Sequence, residues 1–487
     1  MADMESRSEV HDRPLDIEPA GPKAPLSRRQ GVVHADRPDV RGPRPGDVIA
    51  AAGSEDNAEI DVVEVCSRLI RFDTTNRGDG DSEGEREAAE YVATLLSGLG
   101  IGAKIIESAP RRANVIARVP GTDPSLPALL VQGHLDVVPA DAADWSVDPF
   151  SGEVRDGFLW GRGAVDMKDF CAMVLAALAT GVRPRRDIVL AFVADEEDKG
   201  EYGAHWLAAT HRDLFDGCAA AISESGGYSY HVPAADGRTV RLYPVATAER
   251  GTAHLRLTAK GRAGHGSRPN DENAVTRLVT ALGKLAAHRW PIRLTPTARA
   301  FLERTGEALG VPVDLSDVDG TIARLGPAGA LVVPTVRNST TPTMLDAGYK
   351  VNVIPTSAEA QVDVRVLPGT EPELLAEIDA MLGEGVTREF VAHQPPVQAP
   401  VDSPWFDAMA GALRAEDPEA VVVPYCMGGG TDAKAFSPLG IDCYGFAPLW
   451  LPEGFPYRAM AHGVDERVPV EGLRFGTRVL RHFLATC

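Results

Sequence analysis

Residues 128–136 read Ala128-Leu129-Leu130-Val131-Gln132-Gly133-His134-Leu135-Asp136. A short apolar run of this kind, closed by a glycine, reads as a strand buried on both faces. A histidine and an aspartate follow it at once. In open α/β sheets, ligands gather where strands end. The stretch therefore predicts both a layer architecture and a place for chemistry.

Working outward, Ile188-Val189-Leu190-Ala191-Phe192-Val193 and Ala219-Ala220-Ala221-Ile222 carry the same strand signal. Helical spacing lies between them, at 170–179 and 202–210, and before them at 62–70 and 85–99. Gly100 stands where a helix C-cap belongs. Strands alternating with helices predict an α/β sheet covered on both faces. From about residue 250 the pattern changes. Strand-like segments at 254–260, 342–347, 359–367 and 386–392 flank helical segments at 273–288 and 371–382. That order, β-α-β-β-α-β, is the ferredoxin-like one. It is interrupted by a long insertion at 290–339, and from about residue 400 the α/β pattern resumes. The expected organisation is a leader at 1–57, an α/β domain at 58–249 and 398–487, and an inserted α+β domain at 250–397.

The chain has 487 residues, with 44% hydrophobic and 24% charged. That composition suits a soluble protein with sizeable cores. The formal net charge is −20, which repels phosphate backbones and anionic lipid surfaces, so neither nucleic acid nor membrane is an expected partner. The six cysteines include no CxxC pair. They read as reduced thiols, with Cys171 and Cys218 buried in apolar runs. Residues 1–57 are rich in Pro, Arg, Asp and Gly and show no periodicity, so disorder is expected there. No apolar segment opens the chain, and the expected location is cytoplasmic.

Three further clusters of acids and a second histidine fall beside the predicted strand ends. Gly161-Arg162-Gly163-Ala164-Val165-Asp166-Met167-Lys168 fits neither common phosphate-loop spacing. Its plain reading is a glycine turn with Asp166 at a helix start. Ala194-Asp195-Glu196-Glu197-Asp198 follows a strand, and adjacent carboxylates there call for a nearby cation. Glu224 follows another strand, and His462 lies in Ala461-His462-Gly463. Singly, each has an ordinary structural reading. Together His134, Asp166, Glu197, Glu224 and His462 supply two imidazoles and three carboxylates. That set suits two ions sharing one carboxylate, with positions left open for water and substrate. Without thiolates, the expected ions are divalent Zn²⁺, with Co²⁺ or Mn²⁺ as alternatives. Asp136 is spaced to hold the far nitrogen of His134.

From about residue 61 to 487 the sequence resembles the M20 metallopeptidase family. The resemblance rests on Gly133-His134-Leu135-Asp136-Val137-Val138-Pro139, the 160–168 segment, Asp195-Glu196-Glu197, Gly428-Gly429-Gly430-Thr431-Asp432-Ala433 and Ala461-His462-Gly463. It implies a zinc-exopeptidase-type catalytic domain whose insert is a lid and dimerisation domain. It implies that His134 and Glu224 hold one metal, that Glu197 and His462 hold the other, and that Asp166 bridges them. Glu196 would be the general base, and the Asp166–Met167 bond would be cis. His265, in Gly264-His265-Gly266-Ser267, would reach an active site, often the partner subunit's, in a homodimer joined through the lid. Asn352 and Arg365 resemble substrate-binding positions, and a guanidinium fork suits a carboxylate. Gly429, Gly430 and Thr431 would add donors to the same end of the substrate. Asp169 stands where many members have glycine, and Ser223 and Ser225 are unusual neighbours for Glu224. The implied reaction is hydrolysis of a peptide bond in a small, carboxylate-bearing substrate. The alternative is deacylation of an N-acyl amino acid, including desuccinylation. A non-catalytic peptide-binding protein on the same fold is the competing class, and the presence of Glu196 beside all five candidate ligands argues against it.

Overall fold

The large sheet is built around the quoted strand, which the computed structural model, describing residues 60–487, extends to Ala128–His134 with every residue buried. The leader at 1–57 lies outside the described residues. Ala128–His134 pairs in parallel with Ile188–Val193 on one side and Cys218–Ser223 on the other. Ile188–Val193 is also wholly buried. Continuous burial explains why both strands read as unbroken apolar runs rather than alternating ones. The sheet has ten strands and is mixed. Arg112–Val119 pairs antiparallel with Ile188–Val193, and Asp442–Gly445 pairs in parallel with Cys218–Ser223. The three central strands end on the same edge, so residues that follow them converge.

Helix Lys168–Ala179 covers one face of this sheet, buried from Lys168 to Leu178. It shares a core with helices Val62–Ile70 and Val470–Thr486, through residues such as Phe170, Leu175, Leu69 and Leu480. Asp61 starts the first of these by accepting the Val63 N–H, as an N-cap carboxylate does. Gly133 permits the close approach of strand and helix. A Cβ there would meet Cys171 Sγ at 2.9 Å. A second core on the opposite face joins Leu130, Val189 and Val193 to Leu207 and Phe436.

The smaller sheet has the order Ser339–Ala347, Ser357–Val366, Gly251–Lys260, Val386–Gln394, all antiparallel. That is the ferredoxin-like order. Gly251–Lys260 and Ser357–Val366 alternate between buried and half-buried positions. Their inward residues, among them Leu255, Leu257 and Val362, pack on Leu278, Leu285, Leu374 and Ile378 of the two helices Ala274–Ala287 and Glu371–Leu382. Asn273 caps the first helix by accepting the N–H groups of Val275 and Thr276.

The 290–339 insertion behaves differently from its place in the sequence. Its helix Pro296–Leu309 packs Phe301 and Leu302 against Val240, Leu242, Val423 and Tyr425. Those residues belong to strands Thr239–Glu249 and Val421–Met427 of the large sheet. Apart from Trp290, which joins the core of the small sheet, the insertion thus extends the cover of the large one. Among the described residues, no helix is long and apolar enough to cross a membrane.

Candidate metal centre

Six side chains from five loops meet at the carboxyl edge of the large sheet. His134 closes its strand, fully buried. Its Nε2 lies 3.1 Å from Asp166 Oδ1, 3.9 Å from Glu224 Oε1 and 4.0 Å from Glu196 Oε2. The other oxygen of Asp166 lies 3.3 Å from His462 Nε2, which is also 3.0 Å from Glu197 Oε2. Asp166 therefore faces one imidazole with each oxygen. His134, Asp166 and Glu197 form one group of converging donor atoms, and His134, Glu196 and Glu224 another. Asp166 is joined to Met167 by a cis peptide, just before helix Lys168–Ala179.

The Nδ1 of His134 lies 3.0 Å from the main-chain oxygen of Asp136. A carbonyl can only accept, so Nδ1 carries the ring proton and Nε2 is left to face Asp166. A lone pair aimed at a carboxylate is repulsive unless a proton or a cation lies between them. Burial first, and then the neighbouring Glu224 carboxylate, hold Glu196 well above the usual carboxylate range. Burial and then Asp166 do the same to Glu224. Glu197 Oε1 is buried with no hydrogen-bond partner. An acidic cluster of this kind, with an orphaned oxygen and two imidazoles, fits divalent cations. Burial pushes the nearby Cys171 thiol up to about 12, and its Sγ faces the main-chain oxygen of His134.

Asp136 works differently from its expected role. Its carboxylate is 3.6 Å from His134 Nδ1. It instead accepts the N–H of Glu196 on Oδ1 and of Glu197 on Oδ2, both at 3.2 Å, and Asn76 Nδ2 at 2.9 Å. The carboxylate is turned toward the acidic turn, and the main chain of the same residue holds the histidine. Asp195 completes that turn with φ of 70°, accepting from Asn76, Arg112 and the Tyr202 N–H. Glu224 sits beside a second buried chain: Ser223 Oγ donates to Gln132 Oε1, and Gln132 Nε2 donates to Asp432 Oδ2 at 2.7 Å.

A cavity of about 250 Å³ opens beside Glu196, Glu197 and His462. Its far wall comes from the smaller sheet, through Thr252, Arg365 and Gln394. Gly430 and Thr431 also line it. Two expected substrate contacts are engaged within the protein. Thr431 donates its hydroxyl and its N–H to the two oxygens of Glu249, at 2.5 and 3.0 Å. Arg365 is forked onto Asp363 at 2.7 and 3.1 Å. Gly429 is exposed and outside the cavity's lining. His265 and Asn352 are also exposed and outside the cavity's lining, in and next to the paired strands Gly264–His265 and Val353–Ile354, where Gly266 N–H donates to Asn352 O at 3.0 Å. Asn76, Gln132, Asp432 and Lys434 border the site and were not singled out from the sequence. Lys434 did leave a signal there: a lysine set in the apolar run Ala433-Lys434-Ala435-Phe436.

The sequence profile of peptidase family M20/M25/M40 matches residues 130–486. The chain belongs to this family. As an M20 member it is a metal-dependent hydrolase of C–N bonds in amides. Probable carboxypeptidase S-like 2 of Dictyostelium discoideum is 28% identical over 368 residues, covering 73% of this chain and 70% of its own. Human N-fatty-acyl-amino acid synthase/hydrolase PM20D1 is 30% identical over 370 residues, with 72% of each chain covered. The M20 fold is matched by the metallo-carboxypeptidase Sso-CP2 of Sulfolobus solfataricus, with a TM-score of 0.63 at 16% identity, over 87% of this chain and 98% of that one.

Proposed function

We propose that the chain hydrolyses the amide bond of a small peptide or an N-acyl amino acid, using two divalent ions held by His134, Asp166, Glu197, Glu224 and His462. The observation that carries this reading is Asp166 set between two imidazoles, 3.1 Å from His134 and 3.3 Å from His462. A carboxylate facing two nitrogen donors in this way suits a bridge, with His134 and Glu224 on one ion and Glu197 and His462 on the other. The donor set favours Zn²⁺ over softer or harder ions. Such ions, when bound, lower the pKa of water toward about 7 and polarise the scissile carbonyl.

The chain's own residues supply the rest. Glu196 removes the proton of the attacking water and returns one to the leaving nitrogen. Asp136 fixes the turn from which Glu196 projects. The cavity beside Glu196 receives the substrate. Peptides are the first choice and N-acyl amino acids the second; the named relatives include one of each kind. His265 and Asn352, outside this cavity's lining, serve the equivalent site of a second subunit in a homodimer formed through the smaller domain. Their exposure supports that arrangement.

Glu196→Ala tests the reading. The variant retains its metal and loses hydrolysis by about 10³-fold, within the ordinary range for a general base. Normal hydrolysis by Glu196→Ala contradicts the assignment.

A further inference from the structure

Gln132 is the one amide in the apolar run that leads to His134, and it is 2% exposed. A buried amide is costly unless its polar atoms find partners. The Gln132 oxygen accepts Ser223 Oγ at 2.5 Å, and its nitrogen donates to Asp432 Oδ2 at 2.7 Å. Both partners are themselves buried. Ser223 closes strand Cys218–Ser223, and Glu224 is the next residue. Gln132 lies two residues before His134, so the two side chains leave the same face of their strand. The amide thus joins the segments that carry His134 and Glu224.

The two strands part just here. Their parallel register runs from Ala128 opposite Cys218 to Val131 opposite Ile222 and stops. Past that point Gln132, Gly133 and His134 stay paired with Ile188–Val193 on the other side. Ser223 O turns the opposite way and accepts the Phe446 N–H. The side-chain bond between Gln132 and Ser223 therefore spans the opening between the strands. At its mouth His134 Nε2 and Glu224 Oε1 stand 3.9 Å apart, too far for a hydrogen bond and open enough for one cation between two donors. Behind Glu224, a cavity lined by Gln132, Ser223 and Glu249 holds about 10 Å³. That is the lower limit for a single water, so solvent has little room to replace a lost partner.

We propose that Gln132 is a positioning residue for one ion alone: by bonding across the opening between the strands it sets the separation of His134 and Glu224, and with it the affinity of the ion those two share. This rests on the two-ion reading above and deepens it. Asp432 holds the far end of the amide from a loop that Thr431 ties to Glu249, so the side chain cannot swing away. The ion of Glu197 and His462 depends instead on the turn that Asp136 fixes, and Gln132 does not act on it.

The test is a titration of metal-free protein with Zn²⁺ against a chromophoric chelator. His462→Ala isolates the ion of His134 and Glu224, and His134→Ala isolates the ion of Glu197 and His462. Gln132→Met keeps the length of the side chain and loses both hydrogen bonds. It should weaken zinc binding by about 10–100-fold in the first background, the usual effect of losing a residue that orients ligands. In the second background the Kd should move by less than about twofold, as for independent sites. Ser223→Ala should reproduce the selective loss, and Ser223→Thr, which keeps the hydroxyl, should restore most of the affinity. Thermal melting of the metal-free variants checks folding, and the two serine variants decide the outcome if Gln132→Met does not fold. An unchanged Kd in the first background, or equal weakening in both, overturns the proposal. So does Ser223→Ala protein that binds as tightly as its parent. Fewer than two zinc equivalents in the unaltered protein is a different result: the two-ion reading itself then fails, and the proposal falls with it.

Discussion

Glu196 donates its backbone N–H to Oδ1 of Asp136 at 3.2 Å. Glu197 donates to the other oxygen of the same carboxylate. One buried aspartate thus sets the direction of two consecutive acids, one proposed as base and one as ligand. Asp136→Ala removes both acceptors. It should lower kcat by about 10–100-fold, the usual effect of losing such a supporting group. Steady-state kinetics with metal analysis on the same sample check it, and an unchanged kcat would contradict the role.

His462 sits at the edge of the cluster with its side chain 57% exposed, on a backbone with φ of 59°. His462→Ala should release one of the two ions while His134 keeps the other. Elemental analysis after dialysis reads the outcome directly. Two retained equivalents would remove His462 from the ligand set.

Much of this site was legible in the sequence because it lies at strand ends. Unbroken apolar runs mark Ala128–His134 and Ile188–Val193, and the residues after them could be read as converging. The smaller sheet was legible because Ser357–Val366 alternates cleanly. Thr239–Glu249 was not read as a strand. Its central Pro244 and mixed face hide the period, yet it pairs with four other strands. The insertion could not be placed either, since the amphipathic face of Pro296–Leu309 does not say which sheet it covers. The partners of Asp136, Thr431 and Arg365 depend on contacts across long sequence separations or on local side-chain direction. Residue spacing carries neither kind of information.

Burial holds Lys434 below the usual lysine range, opposed by Glu249 and reinforced by Arg365. Its ammonium lines the cavity beside Glu196, and a substrate carboxylate held there needs it protonated. Affinity for N-acetylmethionine should therefore be full at neutral pH and should fall as pH rises, before the ordinary lysine value of about 10.4 is reached. Affinity for the neutral N-acetylmethioninamide should not show that fall. Titrations across the alkaline range check it.

Away from the site, Asp417 is buried and accepts two Arg241 nitrogens, at 2.7 and 2.6 Å, and the Tyr243 hydroxyl at 2.9 Å. The Arg241 hydrogen bonds, against the opposing effect of burial, hold its carboxyl below the usual aspartate range. A depressed pKa contributes stability above the unfolded value of about 3.9 and loses it as pH falls toward the folded value. Asp417→Asn should cost about 2 kcal/mol at pH 7, between exposed and fully buried pairs because Arg241 keeps some contact with water. Urea unfolding should show this difference shrinking in acid. A difference that persists unchanged at low pH would contradict the ion-pair account.

The metal content of Asp166→Ala compared with the unaltered protein tests the central claim most directly. The account predicts two equivalents of divalent metal in the parent after zinc loading and dialysis, and loss of tight binding of both in the variant, because its one carboxylate serves each ion. A parent that binds no metal, or a variant that keeps both equivalents, would contradict it.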